Sequence, residues 1–298
     1  MFEGFEERRV PTANLTLYAR IGGAGPPLLL IHGFPETHLM WRDVAPALTD
    51  RFTVICVDLP GQGESGIPAS DGETQPFSKR GMARELIEAM HRLGFDRFSV
   101  AGHDRGGRVA YRMALDHPGV VERLAVLDVI PIFDAWDRAD SRLALSYWPW
   151  SLLAQPAPLP ERLIGACPEA VIDDAASQWG TTAACFPAEI REAYARQLRD
   201  PRRAHAICEE FRSAATIDRE HDRADLEGGR KIECPLLLLW DEAGALANWY
   251  ADEGGPVGIW KRWASKMTGK PISGGHFFPE AEPARTAQEL RSFFLGGY

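Results

Sequence analysis

The sequence predicts an α/β fold: a mostly parallel central sheet with helices on both faces and an inserted helical cap. Three observations predict it. Short, continuous apolar runs recur at Pro27–Ile31, Phe52–Val57, Leu124–Pro131 and Pro235–Trp240, as expected of strands buried on both faces. Amphipathic helical stretches alternate with the first three of these runs. Strand signals then vanish between about Ile132 and Arg223, where helical stretches punctuated by Pro156, Pro158, Pro160, Pro168 and Pro187 take over. The expected organisation is therefore a core of residues 1–131 and 224–298, with residues 132–223 inserted as the cap.

Residues 10–22 read as two strands, with Leu15, Leu17 and Tyr18 in a half-alternating run. Pro27–Ile31 ends in His32-Gly33-Phe34-Pro35, and a short helix is expected from about Leu39 to Leu48. The strand Phe52–Val57 closes on Asp58-Leu59-Pro60-Gly61-Gln62-Gly63, and a Gly-, Pro- and Ser-rich loop runs to about Phe77. Met82, Leu86, Ile87, Met90 and Leu93 form one stripe of a helix over about 79–93. Next come a strand at Phe98–Ala101, a helix carrying Val109, Met113 and Leu115, and the strand at Leu124–Pro131, with Asp128 near its end. Within the cap, aromatic residues cluster early, at Trp136 and Tyr147-Trp148-Pro149-Trp150, with Trp179 further on. After Pro235–Trp240 a short strand is expected near Trp260–Ala264. A loop containing Gly274-Gly275-His276 precedes a last helix over about 283–294, with Ala287, Leu290 and Phe294 on one face.

The totals narrow the function classes. A chain of 298 residues is long enough to bury a sizeable core, and a formal net charge of −9 argues against a nucleic-acid partner. Five scattered cysteines, Cys56, Cys167, Cys185, Cys208 and Cys234, have no metal-like spacing and read as free thiols of a reducing compartment. The charged start MFEGFEERRV lacks the apolar core of a signal peptide, and no apolar run is long enough to cross a bilayer. The expected location is the cytoplasm, with no membrane partner.

Chemistry concentrates at Gly102-His103-Asp104-Arg105-Gly106-Gly107, between a strand and a helix. Glycines flanking one reactive residue at such a corner suit a sharp, strained turn that exposes its side chain. Hydrolases with this corner usually carry Ser there; this chain carries Asp104. A carboxylate is already charged at neutral pH, so it can attack a saturated carbon that bears a leaving group and form an ester. Asp104 followed by an acid at a later strand end, and by His276 before the last helix, gives the order nucleophile, acid, histidine. Two acids are candidates for the second place, Asp128 and Asp241, and Asp128 is favoured.

With these residues in hand, the chain resembles the fluoroacetate and haloacetate dehalogenases of the α/β-hydrolase superfamily. The matching stretches run from His32-Gly33-Phe34-Pro35 through Asp104-Arg105-Gly106-Gly107-Arg108 and Val126-Leu127-Asp128 to Ala154-Gln155-Pro156-Ala157-Pro158, Ala215-Thr216-Ile217-Asp218 and Gly274-Gly275-His276-Phe277-Phe278. The resemblance implies an α/β-hydrolase fold, a small anionic 2-haloacid as substrate, no metal or organic cofactor, and a possible homodimer. Arg105 and Arg108 are the discriminating pair, since each guanidinium can hold a carboxylate through two charge-assisted hydrogen bonds. The expected chemistry is attack by Asp104 on the α-carbon, then hydrolysis of the ester by water that His276 activates. The backbone N–H groups of Phe34 and Arg105 would form the oxyanion hole.

The chain departs from the resembling family where a defluorinating member holds the departing fluoride. A His-Trp pair becomes Pro149-Trp150, and a Tyr becomes Phe211, so two side-chain donors are gone. Fluoroacetate turnover is therefore in doubt. Tyr147, close by, and Trp179 are further candidates for the pocket. Two other readings stand beside the dehalogenase. An epoxide hydrolase would want two tyrosine donors in the cap, of which Tyr147 is one and no second is evident. A non-catalytic ligand-binding protein on the same fold is the other.

Overall fold

Eight strands form one sheet in the order β1-β2-β4-β3-β5-β6-β7-β8 in the computed structural model, which describes residues 1–70, 74–181 and 183–297. They are β1 (Glu6–Pro11), β2 (Thr16–Gly22), β3 (Pro27–Ile31), β4 (Thr53–Val57), β5 (Phe98–His103), β6 (Val121–Leu127), β7 (Leu236–Asp241) and β8 (Met267–Ile272). The pairings β1–β2 and β2–β4 are antiparallel, and all the others are parallel. The runs read as doubly buried strands are so: Leu28, Leu30, Val100, Ala101, Leu124, Val126 and Leu238 have no exposed surface. Side chains alternate between two cores. Leu29, Ile31, Val100 and Val126 face helices α1 (Lys79–Arg92) and α2 (Asp104–Asp116), and Leu28, Leu30, Ala101 and Leu127 face the other side of the sheet.

Among the described residues, eight α-helices separate β6 from β7: α3 (Ile132–Asp137), α4 (Ser141–Ser146), α5 (Trp148–Leu152), α6 (Leu159–Ala166), α7 (Pro168–Gln178), α8 (Ala188–Arg199), α9 (Pro201–Ala215) and α10 (Ile217–Glu227). The segment remains helical past the expected end at Arg223. Buried ion pairs fasten its last helix to the sheet layer: Arg112 of α2 reaches both Asp222 and Asp225 of α10, and the Tyr111 hydroxyl donates to Asp222 (2.7 Å). After β7 come α11 (Ala245–Trp249), α12 (Gly255–Trp260), α13 (Phe278–Ala281) and α14 (Pro283–Phe294). No helix among the described residues is long and apolar enough to cross a membrane.

Two local expectations are corrected. The segment 39–48 is two 3₁₀ turns, His38–Trp41 and Ala45–Leu48, because Pro46 supplies no N–H for a continuous helix. Trp260–Ala264 is the end of α12 and a turn, not a strand. Trp260 and Trp263 are buried there, donating to the Val129 carbonyl (2.8 Å) and the Asp134 carboxylate (2.6 Å). The eighth strand lies further on, at Met267–Ile272, hidden in the sequence by Gly269, Lys270 and Pro271, which suit an edge strand. Part of the loop expected before Phe77, residues 71–73, lies outside the described residues.

Candidate active site

The site stands at the C-terminal ends of β3, β5 and β6, where open α/β sheets bind ligands. β5 runs into α2 with no intervening loop, and Asp104, the first helical residue, has φ of 43°. A non-glycine residue there is strained, and the surroundings enforce it. A Cβ on Gly106 would lie 2.4 Å from the His32 carbonyl oxygen, so this corner cannot form with a larger residue. Gly33 approaches closely too: its Cβ would lie 2.6 Å from that of Asp104.

The Asp104 carboxylate is buried and fixed on both oxygens. Oδ2 accepts from the Phe34 backbone N–H (3.0 Å), and Oδ1 accepts from Arg108 Nη1 (2.8 Å). Burial alone would raise its pKa. Arg108, His276, Arg105 and His103 more than offset that and hold the group well below the usual carboxylate range. Asp104 is thus an anion throughout the physiological pH range.

Asp128, just beyond β6, has φ of 53° and turns its carboxylate to the histidine loop. Its Oδ2 accepts from His276 Nδ1 (2.6 Å), and its Oδ1 accepts from the Asp241 backbone N–H (3.0 Å). Asp241 does not touch the imidazole through a hydrogen bond; its own carboxylate accepts from the Gly275 N–H (3.1 Å). It braces the loop, and Asp128 orients the ring. With Nδ1 donating to Asp128, the Nε2 lone pair of His276 is left as a proton acceptor.

Arg105 and Arg108 flank Asp104. Arg105 Nε donates to Glu210 of α9 (2.8 Å to each oxygen), and its guanidinium lies 4.0 Å from the Phe211 ring centroid. Glu210 also pairs with the buried Lys79. The Trp150 ring packs against both arginines, 5.3 Å from Arg105 and 4.6 Å from Arg108. Arg105 Nη1 and Arg108 Nε are buried without a hydrogen-bond partner among the described residues. Such donors are rarely left unmatched in a folded protein, and a bound carboxylate would match them.

These groups line a cavity of about 50 Å³. Asp104, Arg105, Arg108, Asp128 and His276 reach it, with Phe34, Tyr147, Pro149, Trp150, Trp179 and Phe211 around them, whereas Asp241 lines only the neighbouring groove. Their contributions differ. The Trp179 indole N–H is spent on the Ser146 carbonyl (2.9 Å), so its ring serves as wall. Trp148 turns away to the Asp174 carboxylate (2.6 Å). A wider groove of about 390 Å³ adjoins the cavity and shares Tyr147, Trp179, Trp249 and His276 with it.

Sequence reasoning missed four contributors. Tyr250, beyond α11, lines the cavity from the sheet domain, in a stretch without periodicity or motif. Glu210 is the neighbour of Phe211, and its spacing from Arg105 in sequence gives no hint of contact. His103 lies inside the Gly102–Gly107 stretch already noted, and Glu36 directly follows His32–Pro35. His103 Nδ1 meets Glu36 Oε2 (2.8 Å), and its Nε2 meets the His276 carbonyl oxygen (2.7 Å). Both partners are acceptors, so both ring nitrogens carry protons. Burial opposes that charge, but Glu36 prevails and pushes the His103 pKa up to about 9. Glu36 also accepts from the Gly33 N–H (3.2 Å), so one ion pair joins the loops of Phe34, Asp104 and His276.

Known proteins agree with this architecture. Residues 26–165 match the family model described as alpha/beta hydrolase fold. The structure of ALR0039 from Nostoc sp PCC 7120 superposes with a TM-score of 0.94 at 41% identity, covering 99% of this chain and 100% of that one. Fold, sheet order and site thus define the chain as an α/β-hydrolase. A fluoroacetate dehalogenase from Burkholderia sp is 43% identical over 294 residues, 98% of this chain and 95% of the relative. The chain belongs to the fluoroacetate and haloacetate dehalogenase family of that superfamily. A soluble epoxide hydrolase from Corynebacterium sp. (strain C12) shares 47% identity over 109 residues, 37% of this chain and 36% of its own.

Proposed function

We propose that this hydrolase is a haloacetate dehalogenase that converts short 2-haloacids and water to 2-hydroxy acids, halide and a proton. The observation that carries the reading is the pairing of a charged Asp104 with two arginines whose buried donors lack a partner. A neutral substrate would leave those donors unmatched. A small carboxylate matches them and brings its α-carbon to Asp104.

Asp104 attacks the α-carbon through a carboxylate oxygen. The carbon–halogen bond breaks, and its electron pair leaves with the halide. The second half begins when water gives a proton to His276 Nε2 and its oxygen adds to the carboxyl carbon of Asp104. Phe34 N–H and Arg105 N–H receive the oxyanion, and Asp128 steadies the imidazolium. Collapse frees the 2-hydroxy acid, returns the proton from His276 to the leaving oxygen, and leaves one water oxygen on Asp104. The helical segment serves as a cap: Trp150, Trp179 and Phe211 keep bulk water from the ester, and the adjoining groove admits substrate.

Without the donors that Pro149 and Phe211 replace, the leaving halide is served by Trp150 and Tyr147. Chloride and bromide need less help than fluoride, so chloroacetate and bromoacetate are turned over faster than fluoroacetate. Halide release from the three acids, with Asp104→Asn as control, tests the reading. Loss of all release in that variant supports it; release that survives the substitution contradicts it.

A further inference from the structure

We infer that the same cavity also opens three-carbon 2,3-epoxy acids, converting oxirane-2-carboxylate and water to glycerate, with Tyr147 and Tyr250 donating to the ring oxygen. The inference rests on the Asp104 and arginine roles proposed above and adds a second leaving group.

Two tyrosines reach the cavity from different elements. Tyr147 comes from the turn between α4 and α5. Its ring packs on Trp179 (5.3 Å), Trp249 (5.7 Å) and His276 (6.1 Å). Tyr250 comes from beyond α11, in the sheet domain, and is 6% exposed. Neither hydroxyl is hydrogen-bonded to a described residue, and neither belongs to the fully buried polar atoms, so both are open to a molecule bound in the cavity they line. The Tyr147 hydroxyl feels the charges of Asp128, Asp104 and Asp241, and Tyr250 feels Arg138 and Arg108. Burial is the main cause that pushes Tyr250 up to about 12 and raises Tyr147 well above the ordinary phenol value. Both therefore keep their protons at neutral pH and act as donors.

A departing halide needs hydrogen bonds but never a proton. An opening epoxide needs a proton, because its carbon–oxygen bond breaks onto an oxygen that would otherwise become a free alkoxide. Two unpartnered hydroxyls beside a carboxylate nucleophile suit that second demand. The arginines decide which epoxide. A neutral one would leave Arg105 Nη1 and Arg108 Nε unmatched, and an epoxy acid would not. The cavity is small, about 50 Å³, which favours a short acid.

The step balances as follows. An Asp104 oxygen attacks the ring carbon that bears the carboxylate. The bond from that carbon to the ring oxygen breaks, and the oxygen takes a proton from Tyr147 or Tyr250. Water hydrolyses the ester as before, and the tyrosinate recovers its proton from water. The sum is epoxy acid plus water giving a 2,3-dihydroxy acid.

The test offers the wild-type protein oxirane-2-carboxylate, 1,2-epoxypropane and chloroacetate in parallel, measuring diol by NMR and chloride by electrode. Glycerate is expected, with kcat/KM for the epoxy acid at least about a hundredfold above that for epoxypropane. In a folded Tyr147→Phe/Tyr250→Phe variant, verified by its thermal unfolding, the epoxy-acid rate should fall at least about thirtyfold relative to chloride release. Chloride without glycerate overturns this inference and leaves the dehalogenase intact. Epoxypropane opened as fast as the epoxy acid overturns the proposed substrate class. No product from either acid overturns both this inference and the dehalogenase reading. An unchanged ratio in the double variant removes the tyrosines from the step.

Discussion

On the proposed reading, Pro149 and Phe211 stand where a fluoride-cleaving pocket would place side-chain donors, and restoring those donors is a direct test of it. Both side chains line the cavity, and the Phe211 ring packs against the Arg105 guanidinium (4.0 Å). Pro149→His with Phe211→Tyr should raise fluoroacetate turnover about tenfold or more relative to chloroacetate, read as fluoride against chloride release. Tyr147→Phe should have the opposite sign, lowering fluoroacetate turnover more than chloroacetate turnover. Most of the candidate site was legible at this scale, since Asp104, Arg105, Arg108 and His276, which the fold gathers around one cavity, sit in short motifs. The choice between Asp128 and Asp241 needed geometry. Both follow neighbouring parallel strands, so spacing alone cannot separate a carboxylate that meets the imidazole from one that meets the Gly275 N–H. Tyr250 and Glu210 were not legible because each arrives from an element whose packing no local pattern encodes.

Helix α2 links site and stability at the scale of elements. Its first two turns carry Asp104, Arg105 and Arg108, and its third carries Arg112, which is buried against two carboxylates of α10. Arg112→Met would leave the buried Asp222 without its cation, and Asp225 with only the half-exposed Arg230 (2.8 Å). A loss of about 3–5 kcal/mol is expected in denaturant unfolding, well beyond an ordinary surface substitution. Gly106→Ala tests the corner itself: its methyl would press on the His32 carbonyl, so turnover should drop far more than substrate affinity. Elements with strong periodicity, such as α1 and α14, were readable almost to the residue. β8 was not, because an edge strand bearing Gly269 and Pro271 lacks the apolar run that marked the central strands.

Charge buried across the whole molecule makes stability depend on pH. His103 holds its proton up to about 9 when folded, against 6.5 when free, because Glu36 faces it. The folded state binds the extra proton between those values. The resulting stability is fully present below pH 6.5 and is lost as pH rises through 9, an effect on the order of 3 kcal/mol. Thermal unfolding across pH 6 to 10 should show that decline, and His103→Gln should flatten it. The overall topology was legible because strands and helices alternate, whereas the closeness of α9 to the site was not, because contacts across a hundred residues leave no sequence trace. The central claim is that Asp104 carries the covalent ester. A single turnover of chloroacetate in H₂¹⁸O, followed by mass analysis of the peptide containing Asp104, tests it most directly. The account predicts ¹⁸O in the Asp104 carboxylate and ordinary oxygen in the glycolate hydroxyl. Label in the glycolate hydroxyl with none in Asp104 would mean that water attacks the α-carbon directly, and would contradict it.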